Sequence, residues 1–323
     1  MGNSFSQIFP PKPQFTENNL PDQTGKVFIV TGASTGVGLA LAELLYSHNA
    51  KVYVAARSSE KATKAISSIQ TAHPKSNGEL IYLHLDLDDL TTIKASANDF
   101  LSKETRLDVL WNNAGVMNPA PGSRTKQGYE LQIGTNNVAP FLFTKLLTPI
   151  LIKTAKSSPT GSVRVVWVSS SAAEFVAPKG GVDMTKLDGN DKSVFKYYGL
   201  SKGGNILHNK EFARRFGGEG VISVALNPGN LKTPLYRTAG SLQNKFLNFF
   251  ILHEPIFGAY TELFGGLSSE ITPEMNGTWV VPWGRFAPLR EDYEASFKSK
   301  DEGGTGLARE FWEWTEEQVK AYL

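Results

Sequence analysis

Lys26-Val27-Phe28-Ile29-Val30-Thr31-Gly32-Ala33-Ser34-Thr35-Gly36-Val37-Gly38, running on into Leu39–His48, is the stretch that decides the fold. A short apolar run is followed by a glycine turn and then by an amphipathic helical pattern. Glycines at that junction allow a tight turn and let a pyrophosphate approach the backbone closely. The start of the following helix adds free N–H groups and a favourable dipole. The spacing is G-x3-G-x-G rather than G-x-G-x-x-G, and glycine turns also end strands for structural reasons alone. Its placement between a strand and a helix favours nucleotide binding.

The same alternation continues down the chain. Strands are expected at Lys51–Ala55, Leu80–Leu85, Asp108–Trp111, Val163–Val168 and Val221–Leu226. Helices are expected over about 60–71, 89–103, 129–154 and 198–216. Strands that are apolar throughout and separated by helices argue a parallel sheet covered on both faces. Right-handed crossovers then make it an α/β, doubly wound, mostly parallel sheet of about seven strands, Thr278–Val281 being the seventh. Residues 1–24, with Pro10, Pro11, Pro13 and Pro21, read as an extended arm. Residues 25–323 read as a single domain closed by a C-terminal helix over Gly306–Leu323.

Composition excludes several classes of function. Thirty-three basic and 31 acidic residues leave a net charge of +2, which offers no electrostatic case for nucleic acid. With no cysteine there is no disulfide, thiolate metal site or cysteine nucleophile. Five scattered histidines form no ligand pair, so no metal is expected. No stretch approaches the roughly 18 apolar residues of a membrane span, and no signal peptide is legible. Asn276-Gly277-Thr278 matches a glycosylation sequon and is discounted without a secretion signal. Met1-Gly2-Asn3-Ser4-Phe5-Ser6 fits the N-myristoylation pattern, but one acyl chain anchors only marginally. The expectation is a cytoplasmic protein with an untethered tail, peripheral to a membrane if Gly2 is acylated.

Three further motifs carry chemistry. Asn112-Asn113-Ala114-Gly115 follows the fourth strand, at the sheet end where α/β proteins bind ligands. Ser169, Ser170 and Ser171 follow the fifth. Tyr198 and Lys202 stand four residues apart, on one face of a helix. An ammonium near a phenol favours the phenolate and lowers its pKa toward working pH. Alone, such a pair is usually a helix surface.

Together, and in this order, the motifs resemble the short-chain dehydrogenase/reductase family over about residues 24–234. The arm, the NNAG context and the long C-terminus resemble its retinol-dehydrogenase-like fungal branch. The resemblance implies a Rossmann-like fold, a nicotinamide cofactor and a catalytic Asn-Ser-Tyr-Lys set. Tyr198 is then the general acid, Lys202 lowers its pKa and holds the ribose, and Ser170 donates a hydrogen bond to the substrate oxygen. Asn136 supports Lys202 through a water relay, with Asn137 as fallback, and Tyr197 is the rival phenol without a lysine partner. The resemblance also puts Gly32, Ser34, Gly36, Val37, Gly38, Asp86, Leu87, Asn113, Ala114, Gly115, Pro228, Gly229, Leu231 and Thr233 at the cofactor. Two departures stand out. Residues 171–197 are longer than the family's usual connection and are expected to shape substrate access. Leu235–Leu267 is aromatic-rich, with Phe246, Phe249, Phe250, Phe257, Tyr260 and Phe264, and serves either as an apolar lid or as packing.

Cofactor choice is readable at the second strand. An NAD site usually ends that strand with an acidic residue that binds the adenosine ribose. Here Ala56 precedes Arg57, and Lys61 opens the next helix, so a 2′-phosphate meets positive charge instead. The expectation is an NADP(H)-dependent oxidoreductase interconverting a ketone or aldehyde and an alcohol, on an apolar, secondary-metabolite-like substrate. The alternatives are a non-redox isomerase or cyclase on the same scaffold, or a dinucleotide-binding regulatory protein. The oligomeric state is open, a homodimer included.

Overall fold

The central strands have no polar face: Val27–Thr31 (β1), Val109–Asn112 (β4), Arg164–Val168 (β5) and Ile222–Leu226 (β6) are buried at every position. Burial on both sides is what leaves a continuous apolar run in sequence rather than an alternating one. Flanking them are Lys51–Ala56 (β2), Glu79–His84 (β3), Thr278–Val281 (β7) and Arg285–Phe286 (β8). A computed structural model describes residues 6–190, 193–233 and 252–323. In it the strands form one sheet in the order β3-β2-β1-β4-β5-β6-β7-β8, parallel except for the antiparallel β7–β8 pair. The eighth strand exceeds the expected seven because it is two residues long and leaves no periodic signal.

Helices Gly36–Ser47 (α1), Ser59–Ala72 (α2), Leu90–Lys103 (α3), Leu131–Lys156 (α4), Val194–Phe216 (α6) and Pro255–Leu267 (α7) cover the two faces, with short Ala172–Phe175 (α5) after β5. By length and composition α4 could cross a membrane, contrary to the expectation that no segment could, yet 67% of its most apolar window is buried here. Phe141, Leu142, Phe143 and Leu147 of α4 belong to the core. Glu291–Phe297 (α8) and Leu307–Val319 (α9) close the chain. His208 on α6 stacks on Phe311 of α9 at 4.7 Å, and its Nε2 meets the Thr315 hydroxyl at 3.1 Å. Burial pushes its pKa down to about 3, so it packs as a neutral ring.

The structure adds detail to three of these expectations. The arm is not extended throughout: Glu17–Asn19 is a 3-10 turn closed by a Thr16–Asn19 capping box, and Leu20 joins the core. The first part of the long connection, residues 173–178, is bound to α8 and to the residue before it, with the Arg290 guanidinium donating to the Glu174, Ala177 and Pro178 carbonyls and the Tyr293 hydroxyl to that of Ala173. The Gly180 N–H is in turn bound by the Asp292 carboxylate. In the aromatic segment, Phe264 is 1% exposed and packs edge-on to Phe15 and Phe286. Phe257 lies against Trp283 and Tyr260. For Phe264 the packing account holds. Phe246, Phe249 and Phe250, like Gly2, lie outside the described residues.

Candidate active site

The glycine loop and the NNAG segment are built as one unit. The Thr31 hydroxyl donates to the Trp111 carbonyl at 3.1 Å and accepts the Ala114 N–H at 2.9 Å, while the Asn113 amide donates to the Thr31 carbonyl at 2.6 Å. A Cβ on Gly38 would lie 2.5 Å from Asn113 Nδ2, and one on Gly32 3.0 Å from the Ala114 Cα. Both glycines therefore make room for NNAG, and Gly32 also takes φ +71°. Thr35 precedes α1 and its side chain makes no capping bond, and the first-turn N–H groups of a helix, here those of Gly36, Val37 and Gly38, suit an anion. Ser34 is half-buried beside them. That geometry fits a dinucleotide pyrophosphate.

Around the carboxyl ends of the strands lie the remaining candidates. Arg57, directly after β2, and Lys61, in the first turn of α2, are both exposed. The Asp86 carboxylate accepts the Asp88 N–H at 3.1 Å. Leu87 and Leu231 are buried, at 8% and 4% exposure, and Leu87 packs in the apolar core. Gly229 has φ +95° and gives its N–H to the Asn227 side chain at 3.0 Å, with Pro228 half-buried before it. Thr233, also half-buried, borders the undescribed stretch.

At the chemical end, Lys202 is 5% exposed and its Nζ donates to the Val168 carbonyl at 2.9 Å, 5.7 Å from the centre of the Tyr198 ring. Asn136 sits in a π-turn, Gly134–Val138, within α4. Its Oδ1 accepts the Val116 N–H at 2.8 Å, and its Nδ2 donates to the Val116 carbonyl and the Ser201 hydroxyl, each at 3.0 Å. A Cβ on Gly115 would be 3.1 Å from Asn136 Oδ1 and 3.4 Å from Lys202 Nζ, so this glycine touches both. Asn137 instead fastens α6, donating to the Ser201 carbonyl and Asn205 Oδ1 at 2.8 Å. Ser169 spends its hydroxyl on the Lys202 carbonyl at 2.7 Å, whereas half-buried Ser170 accepts only the local Ala172 N–H at 3.2 Å among the described residues. Tyr197 lies in the apolar core. The arrangement puts a phenol beside a buried ammonium, with an amide and a hydroxyl close to the same strand ends.

Sequence reasoning passed over Glu262. It is fully buried on α7, and neither carboxylate oxygen has a hydrogen-bond partner among the described residues. Burial pushes its pKa up to about 8, partly opposed by the charge of Lys202, and burial lowers Lys202 in turn. The available signal was one carboxylate in an otherwise apolar helix, between Gly258 and Gly266 at four-residue spacing. From pH 4.5 to about 8 the folded protein holds a proton at Glu262 that the unfolded chain has released, so stability falls as pH rises through that window. Glu262→Gln should flatten that slope in urea titrations at several pH values; an unchanged slope would show that Glu262 ionises normally.

Comparison with known proteins agrees with this geometry. Residues 26–183 match the short chain dehydrogenase family model. A "Short-chain dehydrogenase/reductase" of Phomopsis amygdali is 56% identical over 99% of this chain and 97% of its own length. Among solved structures, NADPH-bound carbonyl reductase from chicken fatty liver superposes with a TM-score of 0.61 at 22% identity, covering 83% of this chain and 100% of that one. The NADH complex of 3-ketoacyl-(acyl-carrier-protein) reductase from Brucella melitensis gives 0.61 at 24% identity, covering 81% and 98%. The likeness in fold extends to complexes of either dinucleotide, so fold alone does not choose between them. A relative of this identity over nearly the full length, on a doubly wound sheet with an open glycine-loop helix, places the chain among the oxidoreductases of the short-chain dehydrogenase/reductase family.

Proposed function

We propose that the protein is an NADP(H)-dependent reductase of ketones or aldehydes, reversible as an alcohol dehydrogenase, acting on an apolar substrate, and that it belongs to the retinol-dehydrogenase-like fungal branch of its family. The observation that carries this reading is the Tyr198–Lys202 pair, a phenol held beside a buried ammonium at the carboxyl end of β5. Tyr198 gives its proton to the carbonyl oxygen during reduction and takes it back during oxidation. Lys202 stabilises the phenolate and would hold the ribose of a bound cofactor, and the Ser170 hydroxyl would hydrogen-bond the carbonyl oxygen. Asn136 fixes the Val116 backbone beside Gly115 and so holds the floor under Lys202. Bound along the glycine loop, the nicotinamide dinucleotide supplies or accepts the hydride.

Arg57 supports NADP(H): it is exposed at the end of β2, where Ala56 offers no carboxylate to repel a 2′-phosphate. Losing a charge-assisted guanidinium–phosphate contact costs about ten- to hundredfold in affinity. Arg57→Ala should weaken NADPH by that factor and leave NADH almost unaffected. Fluorescence titration of both nucleotides decides it, and tighter binding of NADH by the unaltered protein sinks the cofactor assignment. Turnover is tested by screening carbonyl compounds with NADPH and following nicotinamide absorbance. Nucleotide binding without consumption against every carbonyl would favour the non-redox or regulatory reading.

A further inference from the structure

The N-terminal arm reaches back across the carboxyl ends of β6 and β7. Gln7 is 2% exposed there, although it lies 167 positions from one of its partners. Its Nε2 donates to Glu174 Oε2 at 2.8 Å, and its Oε1 accepts from Asn227 Nδ2 at 2.9 Å. Each partner is committed a second time. Asn227 Oδ1 holds the Gly229 N–H at 3.0 Å, and the Asn227 N–H is bound by the Val280 carbonyl at 2.9 Å. Glu174 Oε1 accepts from Trp279 Nε1 at 3.0 Å. The neighbouring residue is also tied down, with Arg285 Nη2 donating to the Ser6 carbonyl at 2.7 Å.

The chain of contacts thus runs from Gly229 through Asn227 and Gln7 to Glu174 and Trp279. Glu174 lies on α5, four residues after Ser170, while Gly229 lies in the turn taken above as part of the cofactor site. We propose that Gln7 is a positioning residue, coupling the segment that carries Ser170 to the Pro228-Gly229 turn and thereby setting the two halves of the active site in register. The inference rests on the proposed function only for what those two halves bind. An amide suits the position because it donates and accepts at once, whereas an ionised carboxylate only accepts. Around Glu174 the charged neighbour is Arg290, itself paired with Asp292, and Arg285 stands over Ser6.

Two variants test it. Gln7→Ala should exchange the Gly229 amide about tenfold faster, the equivalent of roughly one lost hydrogen bond, with β5 amides unchanged. Turnover of an accepted carbonyl should fall by a similar factor while the melting temperature moves by only a few degrees. Gln7→Glu faces one buried carboxyl with another. While the pair shares a proton both contacts survive, and once it ionises one of them becomes a repulsion. Its activity relative to the unaltered protein should therefore be near unity in acid and fall about tenfold as pH rises. Unchanged Gly229 exchange in Gln7→Ala, or a Gln7→Glu activity ratio independent of pH, would falsify the coupling. Exchange is read on the protein alone, so an unaltered protein that never turns over a carbonyl overturns the functional reading and leaves the coupling to be decided at Gly229.

Discussion

Tyr198→Phe is expected to lower turnover by about 10²–10⁴-fold, the usual contribution of a positioned general acid, while nucleotide binding stays nearly intact. The change removes one hydroxyl and keeps the ring, whose centre lies 5.7 Å from Lys202 Nζ. Packing around α6 should therefore survive, since Tyr198 is only 6% exposed and its ring volume is retained. Steady-state rates and NADPH titration on the same preparation separate chemistry from binding. The control is Tyr197→Phe, a neighbour in the apolar core that lacks a lysine four residues on. Near-normal turnover in Tyr198→Phe, or a dead Tyr197→Phe, would move the general acid to another group.

Lys202→Met should cost at least about 10²-fold in kcat/KM, because the phenol loses the cation that favours its ionised form. The pH optimum for alcohol oxidation should move upward, since a phenol without that neighbour holds its proton more tightly. Stability should behave in the opposite way. Lys202 is buried with its Nζ bonded to the Val168 carbonyl, and burial lowers its pKa from 10.5 to about 8. Between those values the unfolded chain binds the extra proton, so stability rises with pH through this window, and methionine removes that dependence. A buried ammonium replaced by an apolar side chain of similar length also loses its desolvation penalty. The variant should melt no lower than the unaltered protein at neutral pH while being nearly inactive. A large drop in melting temperature would instead make Lys202 a structural residue whose bond to the Val168 carbonyl the fold needs.

The fold was legible because its signals are local. A parallel strand buried on both faces must be apolar at successive positions, as Val27–Val30 and Val224–Leu226 are. A glycine turn between strand and helix is likewise written in adjacent residues. The two-residue β8 had no such pattern, because it exists only through pairing with β7. The Tyr198–Lys202 spacing was visible for the same local reason: one helical turn places both on one face. Nothing in the sequence announced that Arg290 and Tyr293 would hold residues 173–178 in place, or that the Leu87 side chain would face the core.

By itself, then, the order of residues determined a doubly wound sheet, a glycine turn between its first strand and helix, a Tyr–Lys pair at helical spacing and an arginine directly after the second strand. Each depends on neighbours within about one helical turn or one strand, and short-range sterics and periodicity settle such features. Tertiary structure alone decided which of the adjacent serines had its hydroxyl already occupied and which asparagine touched the Lys202 region. It also decided that Glu262 would be a buried carboxyl and that Gln7 would bridge Glu174 and Asn227. Those outcomes depend on burial and on hydrogen bonds between residues tens to hundreds of positions apart. Burial is a property of the packed whole, so the same glutamate or glutamine written on a surface would carry no such meaning.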